Sequence, residues 1–276
     1  MLTSNDIFNR FYRIHVIKKN SIDSIKIEKL RVAFNVTKNT TIDSNNSIIK
    51  IYNLGYSLRF FEQKNLKVKL YAGYDPTNSG ALEAGQIFVG DIKHVDTQKN
   101  GGDKITIIKS GDGHATLRNA VFAKTYAKMT PVMNIINDLV SSFEISSKSI
   151  SVISNQISKR GKAFFGKSKD VLKSLLDSLD MEYSIQDENL IITNKGKGLP
   201  TSGYNLSSKS GLIGLPSRIE NGKVEVTSLL NDYFSPKKHF YIDSSTISGT
   251  YVAEKVIHSG DTHGKQWTSK IIGTPT

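Results

Sequence analysis

Alternation of apolar and polar positions with a period of two dominates the first part of the chain. In 31–36, RVAFNV, Val32, Phe34 and Val36 fall on one side and Arg31, Ala33 and Asn35 on the other, the pattern of a half-buried antiparallel strand. The same period recurs in YRIHVI (12–17), KVKLY (67–71) and KITII (104–108), with turn signals DPTNSG (75–80) and KNGGD (99–103) between the runs. Short strands punctuated in this way predict a barrel-like or sandwich-like unit over residues 1–114.

The period then lengthens. Thr130 is placed to cap a helix and Pro131 to open it, and Val132, Ile135, Ile136, Leu139, Val140 and Phe143 share one helical face. A second helix is predicted from Ser168, with Asp170 in its first turn and Val171, Leu172, Leu175, Leu176 and Leu179 as its apolar stripe. A hairpin follows, MEYSIQ (181–186) and LIIT (190–193) about a turn at Asp187-Glu188-Asn189. Residues 115–198 therefore read as a small α/β unit, closed by the Gly- and Pro-containing loop NKGKGLPTSG. Strands return in KVEVTSLL (223–230), HFYID (239–243), TYVAEKVIH (250–258) and KQWTSKII (265–272), so 199–276 is expected to be a second β-barrel-like domain. The fold class expected is β-rich α+β, two barrel-like domains flanking the α/β unit. The order β, then α/β, then β leaves room for two similar β-domains.

Composition narrows the function. A chain of 276 residues, 38% hydrophobic, can bury one large core or several small ones. Asp6 and Arg10 interrupt the stretch where a secretory signal would need apolar residues, and no later run approaches membrane-spanning length, so a soluble protein made in the cytoplasm is expected. The absence of cysteine removes disulfides, thiolate zinc sites, iron–sulfur clusters and cysteine nucleophiles. A net charge of +12 suits an anionic partner such as nucleic acid. The cations are dispersed, however, and the longest clusters, Lys18-Lys19, Lys159-Arg160 and Lys237-Lys238, are too short for an arginine-rich arm.

Two motifs suggest chemistry. GKAFFGKS satisfies the phosphate-loop formula through Gly161, Gly166, Lys167 and Ser168, with a helix following. It follows the polar stretch NQISKR and not a buried parallel strand, and the plain alternative gives Phe164 and Phe165 the task of covering the second helix. HSGDTHG offers His258, Asp261 and His263 as metal ligands or acid–base groups; the alternative is a tight turn in which Asp261 holds its own loop amides. His15, His94, His114 and His239 have no metal-type spacing, and no cofactor or metal is expected. Carboxylate pairs such as Glu182 with Asp187, or Asp91 with Asp96, are not distinguished from other acidic residues, and no nucleophile elbow is present.

The order of segments resembles the baseplate hub proteins of contractile-tailed phages, of the late control gene D type. IYNLGYSLR (51–59), VKLYAGY (68–74), IFVGDIKHV (87–95) and GDKITIIKSGDG (102–113) stand in the succession of the first domain of such hubs. FFGKSKDVLKSLLDSLDMEYSIQDENLII (164–192), SGLIGLPSRIENGKVEVTSLLN (210–231) and HSGDTHGKQWTSKI (258–271) continue the match over nearly the whole chain. The resemblance implies a non-enzymatic structural protein of the virion tail baseplate, assembled in the host cytoplasm. It implies a homotrimer in which two tube domains per chain present six near-equivalent surfaces to a hexameric tail tube and seat a trimeric central spike. Partners implied are the tail tube protein, the spike protein and other baseplate proteins, with DNA only as genome in transit. Because the chain stops soon after Trp267, the spike is expected to be a separate protein. Asn53, Leu54, Tyr74, Asp75 and Trp267 are the candidate contacts with other subunits or partners. A phage-derived injection particle is the related reading; the rivals are a nucleotide-binding or murein-degrading tail enzyme and a DNA-binding module.

Overall fold

The computed structural model describes residues 9–19, 21–40, 45–55, 60–61, 63–74, 83–112, 120–143, 147–150, 157–200 and 202–276. Seven strands come first: β1 (Arg10–Lys18), β2 (Ser24–Ile27), β3 (Val32–Asn39), β4 (Asn46–Tyr52), β5 (Leu66–Tyr74), β6 (Glu83–Asn100) and β7 (Asp103–Gly111). The alternation becomes burial: Val32, Phe34 and Val36 turn inward onto Ile49, Ile51, Ile14, Val68 and Leu70, all buried. Between β6 and β7 the chain reverses over Gly101 and Gly102, with Gly101 at φ +62, a conformation that favours glycine. The turn expected at 75–80 lies outside the described residues.

The middle of the chain holds β8 (Val121–Tyr126), α1 (Val132–Ser141), β9 (Ser147–Ile150), β10 (Lys162–Lys167), α2 (Ser168–Asp177), β11 (Met181–Gln186) and β12 (Asn189–Asn194). Both helical stripes are buried in one cluster with Phe122, Tyr126, Tyr183 and Ile192. Pro131, not Thr130, occupies the cap of α1, and the Thr130 hydroxyl donates to the Ala127 carbonyl at 2.8 Å instead. β11 and β12 form the predicted hairpin, reversed over Asp187 and Glu188 with φ of +51 and +64. Two successive left-handed residues match the strand twist of a two-residue hairpin.

The last part contains β13 (Tyr204–Ser207), β14 (Leu212–Arg218), a 3-10 turn (Glu220–Gly222), β15 (Val224–Leu229), β16 (His239–Asp243), β17 (Ser248–Asp261) and β18 (Trp267–Pro275). Strands from the first and last parts of the chain meet in a common sheet. They form one open thirteen-stranded sheet, β14-β15-β18-β17-β3-β4-β7-β6-β5-β1-β2, with β16 also on β17 and β13 on β16. Among the described residues no sheet closes on itself.

The centre of that sheet is the antiparallel junction of β17 with β3, from Lys255 opposite Asn39 to Asp261 opposite Ala33. On either side the same order appears twice: β14-β15-β18-β17, then β3-β4-β7-β6. In each set a hairpin of two strands comes first in sequence and a longer hairpin second, and the fourth strand lies inside the third. The correspondence extends to irregularities. β17 carries a bulge between Ala253 and Lys255 against β18, and β6 carries one between Ile92 and His94 against β7. Before its bulge β17 pairs with β16 and β6 pairs with β5; after it β17 pairs with β3. Bulges let one long strand change neighbours by bending it and adding twist. No helix among the described residues is long and apolar enough to cross a membrane.

Candidate functional site

The five contact candidates divide sharply. Leu54, Tyr74 and Trp267 are 5%, 3% and 3% exposed and belong to the first β core, where their side chains pack within the chain. The Trp267 indole N–H donates to the Gly73 carbonyl at 3.1 Å, its ring meets Phe34 edge-on, and the Arg10 guanidinium lies over it. Burial pushes the Tyr74 hydroxyl up to about 12. Arg10 also donates to the carbonyls of Asp261, Gly264 and Lys265, tying the loop before β18 to β1. Asn53 is exposed, at φ +55, with its side chain bridging Asp103 and the Lys104 amide at 2.8 and 2.9 Å. Asp75 lies outside the described residues.

A polar joint that sequence reasoning missed holds the α/β unit to the sheet. The tip of the β11–β12 hairpin reaches β3, β5, β6, the residue before β4 and the residue after β7. Lys38, only 2% exposed, donates to Asp187 at 2.5 Å, and the Val89 amide donates to the other Asp187 oxygen at 3.1 Å. Glu188 pairs with Lys67, and its amide donates to Asp112 at 3.0 Å. The Asn45 side-chain amide donates to the Ile185 carbonyl and the Gln186 side chain, both at 2.9 Å. Burial first, then the nearby Asp187 charge, pushes the Asp112 carboxyl up to about 7. A third ion pair, Lys237 with Glu182 at 2.5 Å, ties the same unit to the segment before β16. The missed signal was in the alternation: Lys38 continues the inward register of Val32, Phe34 and Val36, and a charge on a core face needs a partner.

Neither chemical motif forms the site its pattern suggests. Residues 162–167 are the strand β10, extended along β8 and so not wrapped as a phosphate-binding loop. The Ser168 hydroxyl is buried against Ser142. Phe164 packs against the helices, but Phe165 is 86% exposed, which corrects its expected covering role. His258 is fully buried in β17 between the Ser269 hydroxyl at 2.8 Å and the Phe234 carbonyl at 3.2 Å, and burial lowers its pKa to about 3. Asp261 accepts from the His263 amide and from Arg31, the loop-holding role of the plainer reading. No cluster of three metal-ligating side chains occurs among the described residues. The paired carboxylates are engaged apart: Glu182 with Lys237, Asp187 with Lys38, and Asp91 with Lys19 at 2.7 Å.

The surface features that remain are edges. One side of β14 pairs with β15, and among the described residues no strand pairs with the other, where Ile213 and Leu215 are 41% and 70% exposed. Beyond the bulge of β6, residues 94–100 pair with β7 on one side, and among the described residues no strand pairs with the other. Unpaired N–H and C=O groups along such edges are templates for another strand.

The sequence matches the model of the family described as baseplate hub gp41 over residues 14–270. No curated protein sequence matches the chain. Among solved structures it is similar to the 43 kDa tail protein of prophage MuSo2 from Shewanella oneidensis, with a TM-score of 0.66, 8% identity, and 96% of this chain and 98% of that one covered. A tail protein from Neisseria meningitidis MC58 gives a TM-score of 0.64 at 8% identity, covering 95% and 96%. The E. coli c3393 protein, a component of the type VI secretion system with structural similarity to T4 tail proteins gp27 and gp5, gives 0.62 at 9%, covering 95% and 76%. At these identities the structures speak for the fold, whereas the family match covers most of the sequence: the chain belongs to the baseplate hub gp41 family of structural phage-tail proteins.

Proposed function

We propose that three copies of this chain close head to tail into a ring that joins a hexameric tail tube to a trimeric spike and encloses the ejection channel. The observation that carries this reading is the repeated strand order on the two sides of the β17–β3 junction. Two equivalent four-stranded sets per chain, taken three times, make six, and a threefold object can then meet a sixfold one. The junction inside the chain also supplies a template for the seam between chains. The part of β17 beyond its bulge pairs with β3, and among the described residues the equivalent part of β6 is left open, as is the outer edge of β14, the counterpart of β3. Pairing β6 of one copy with β14 of the next repeats the internal junction and removes both edges. No catalytic step is required, and the disposition of the motifs around Lys167 and His258 favours none.

The register of the seam follows by equivalence. Ile92 opposite Ser110 corresponds to Ala253 opposite Gly273, so Gln98 corresponds to Ser259. Tracing the partners outward, Ser217 on β14 corresponds to Asn35 on β3, which faces Ser259. Gln98 and Ser217 of adjacent copies are therefore expected to face each other. The chain contains no cysteine, so the double variant Gln98→Cys, Ser217→Cys isolates this contact. Mild oxidation should give disulfide-linked dimers and trimers, and neither single variant should give trimers. Failure of the double variant to cross-link in a sample whose mass is trimeric would refute the seam; a monomeric mass in assembled particles would refute the ring.

A further inference from the structure

The two-stranded ribbon of β8 and β10 stands apart from the large sheet, and one of its faces has nothing over it among the described residues. Side chains directly opposite each other share a face: Phe122, Phe164 and Tyr126 turn toward the helices, while Val121, Ala123, Thr125, Ala163, Phe165 and Lys167 turn outward. Val121 is 65% exposed and Phe165 86%. An amphipathic strand pair ordinarily puts its polar residues on the solvent side, and this one places an aromatic ring and a valine there.

Backbone geometry adds a second feature. The Ser168 amide donates to the Ala120 carbonyl, which makes that pair a hydrogen-bonded one. Alternation along an antiparallel ladder then sets Ala163, Phe165 and Lys167 in non-hydrogen-bonded pairs, with their N–H and C=O groups directed away from β8. No strand pairs with that edge of β10 among the described residues. The outward backbone groups and the exposed apolar face thus belong to the same three residues.

Charge selects the occupant. Residues 157–167 contain Lys159, Arg160, Lys162 and Lys167 and no acid, and residues 121–131 contain Lys124 and Lys128 and no acid. Asp138 on α1 balances Lys124 alone. A second copy of a chain with net charge +12 is a poor match for this rim. A lipid surface would satisfy the charge and the phenyl ring but offers no ladder to the open edge.

We infer that the β10 edge takes an extended acidic segment of another protein as an added strand. An aliphatic or aromatic residue of that segment lies beside Phe165, and carboxylates reach Lys167 at one end and Arg160 and Lys162 at the other. Main-chain bonds supply the attachment and alternate side chains the selectivity, the mode of strand addition. The ribbon is outside the thirteen-stranded sheet, so this site stands whether or not the ring closes as proposed.

The test uses the full chain and a fluorescein-labelled acidic peptide, DEVTFDE, with the basic peptide KRVTFKR as its counterpart. The acidic peptide should bind, the basic one should not, and binding should slow hydrogen exchange at the amides of Ala163, Phe165 and Lys167. Phe165→Ser should weaken binding by about 10- to 100-fold, the range expected when a phenyl ring no longer leaves water. Lys167→Glu should weaken it by a smaller factor that shrinks as salt is added. Both positions are exposed, so an unchanged thermal midpoint verifies the fold of each variant. Equal affinity for the two peptides, or binding that leaves those three amides unprotected, would overturn the inference. Binding to phosphatidylserine vesicles that needs Phe165, with no peptide binding, would overturn it in favour of a membrane surface.

Discussion

Replacing Asp112 by Asn should stabilise the protein at pH 8 and remove a pH dependence that the wild type carries. Asp112 is 1% exposed, accepts the Glu188 amide at 3.0 Å, and faces the Asp187 carboxylate across the joint. Its carboxyl rises from the ordinary 3.8 to about 7, so the folded protein holds a proton there that the unfolded chain has released. A raised folded-state value contributes stability fully below 3.8, and that contribution is lost as pH climbs through about 7. At 1.36 kcal/mol per pH unit the interval corresponds to about 4 kcal/mol, an upper figure because the joint relaxes when Asp112 ionises. Asparagine keeps the shape and the acceptor for Glu188 without the charge. The stability difference between Asp112→Asn and wild type should therefore grow with pH from 4.5 to 7, with a slope of at most about 1.4 kcal/mol per unit, and flatten above. His258 acts in the opposite sense: its value is lowered to about 3, so its contribution is present above the ordinary 6.5 and lost as pH falls toward 3. It is common to both proteins and cancels in the difference. Urea unfolding followed by the fluorescence of the single tryptophan, at one protein concentration from pH 4.5 to 8.5, makes the measurement. A difference that does not change with pH, or a variant weaker than wild type at pH 8, would mean that the fold does not hold a proton on Asp112.

Lys38→Met should cost about 3 kcal/mol, because it leaves Asp187 beside Asp112 without its cation, and combining it with Asp187→Asn should recover part of the loss in a double-mutant cycle on urea midpoints. Trp267→Ala should cost about 3–5 kcal/mol in the folding of the chain itself, measured by calorimetry, with loss of the contacts to Phe34 and Gly73. Lys167→Ala should change stability by less than about 0.5 kcal/mol and leave particle assembly intact, and magnesium with ATP should not shift the wild-type melting midpoint. Gly260→Ala should be strongly destabilising in the same melting assay, since an added methyl carbon would sit 2.4 Å from the Phe34 ring and 2.7 Å from Trp267.

Local order was legible where one residue's environment repeats at a short interval. Val32, Phe34 and Val36 betray their strand because every second residue meets the core. The α1 and α2 stripes do the same at helical spacing, and Asp187-Glu188 reads as a turn between two apolar runs. The junction of β17 with β3 left no such mark, for it joins residues over two hundred positions apart, and no local pattern records which strand lies beside which. The repeated strand order was therefore visible only as room for two similar β-regions. Burial of Trp267 escaped the sequence for a related reason: although Gly260 nearby leaves room for its ring, the Phe34 ring that it meets and the Gly73 carbonyl that accepts from it are remote in sequence. Lys38 was legible in principle, since its position in the alternation put a cation on a core face. Its partner at the tip of a distant hairpin was not.

Three chains, each with two equivalent strand sets, are proposed to make one closed ring. Cryo-electron microscopy of the assembled protein, with its mass measured in the same buffer, decides whether the ring forms. The closed ring requires a mass of three chains and continuous density for a strand pair between residues 94–100 of one copy and β14 of the next, resembling the β17–β3 junction. A ring of any other copy number, or a trimer in which β14 and the far end of β6 both face solvent, would contradict it.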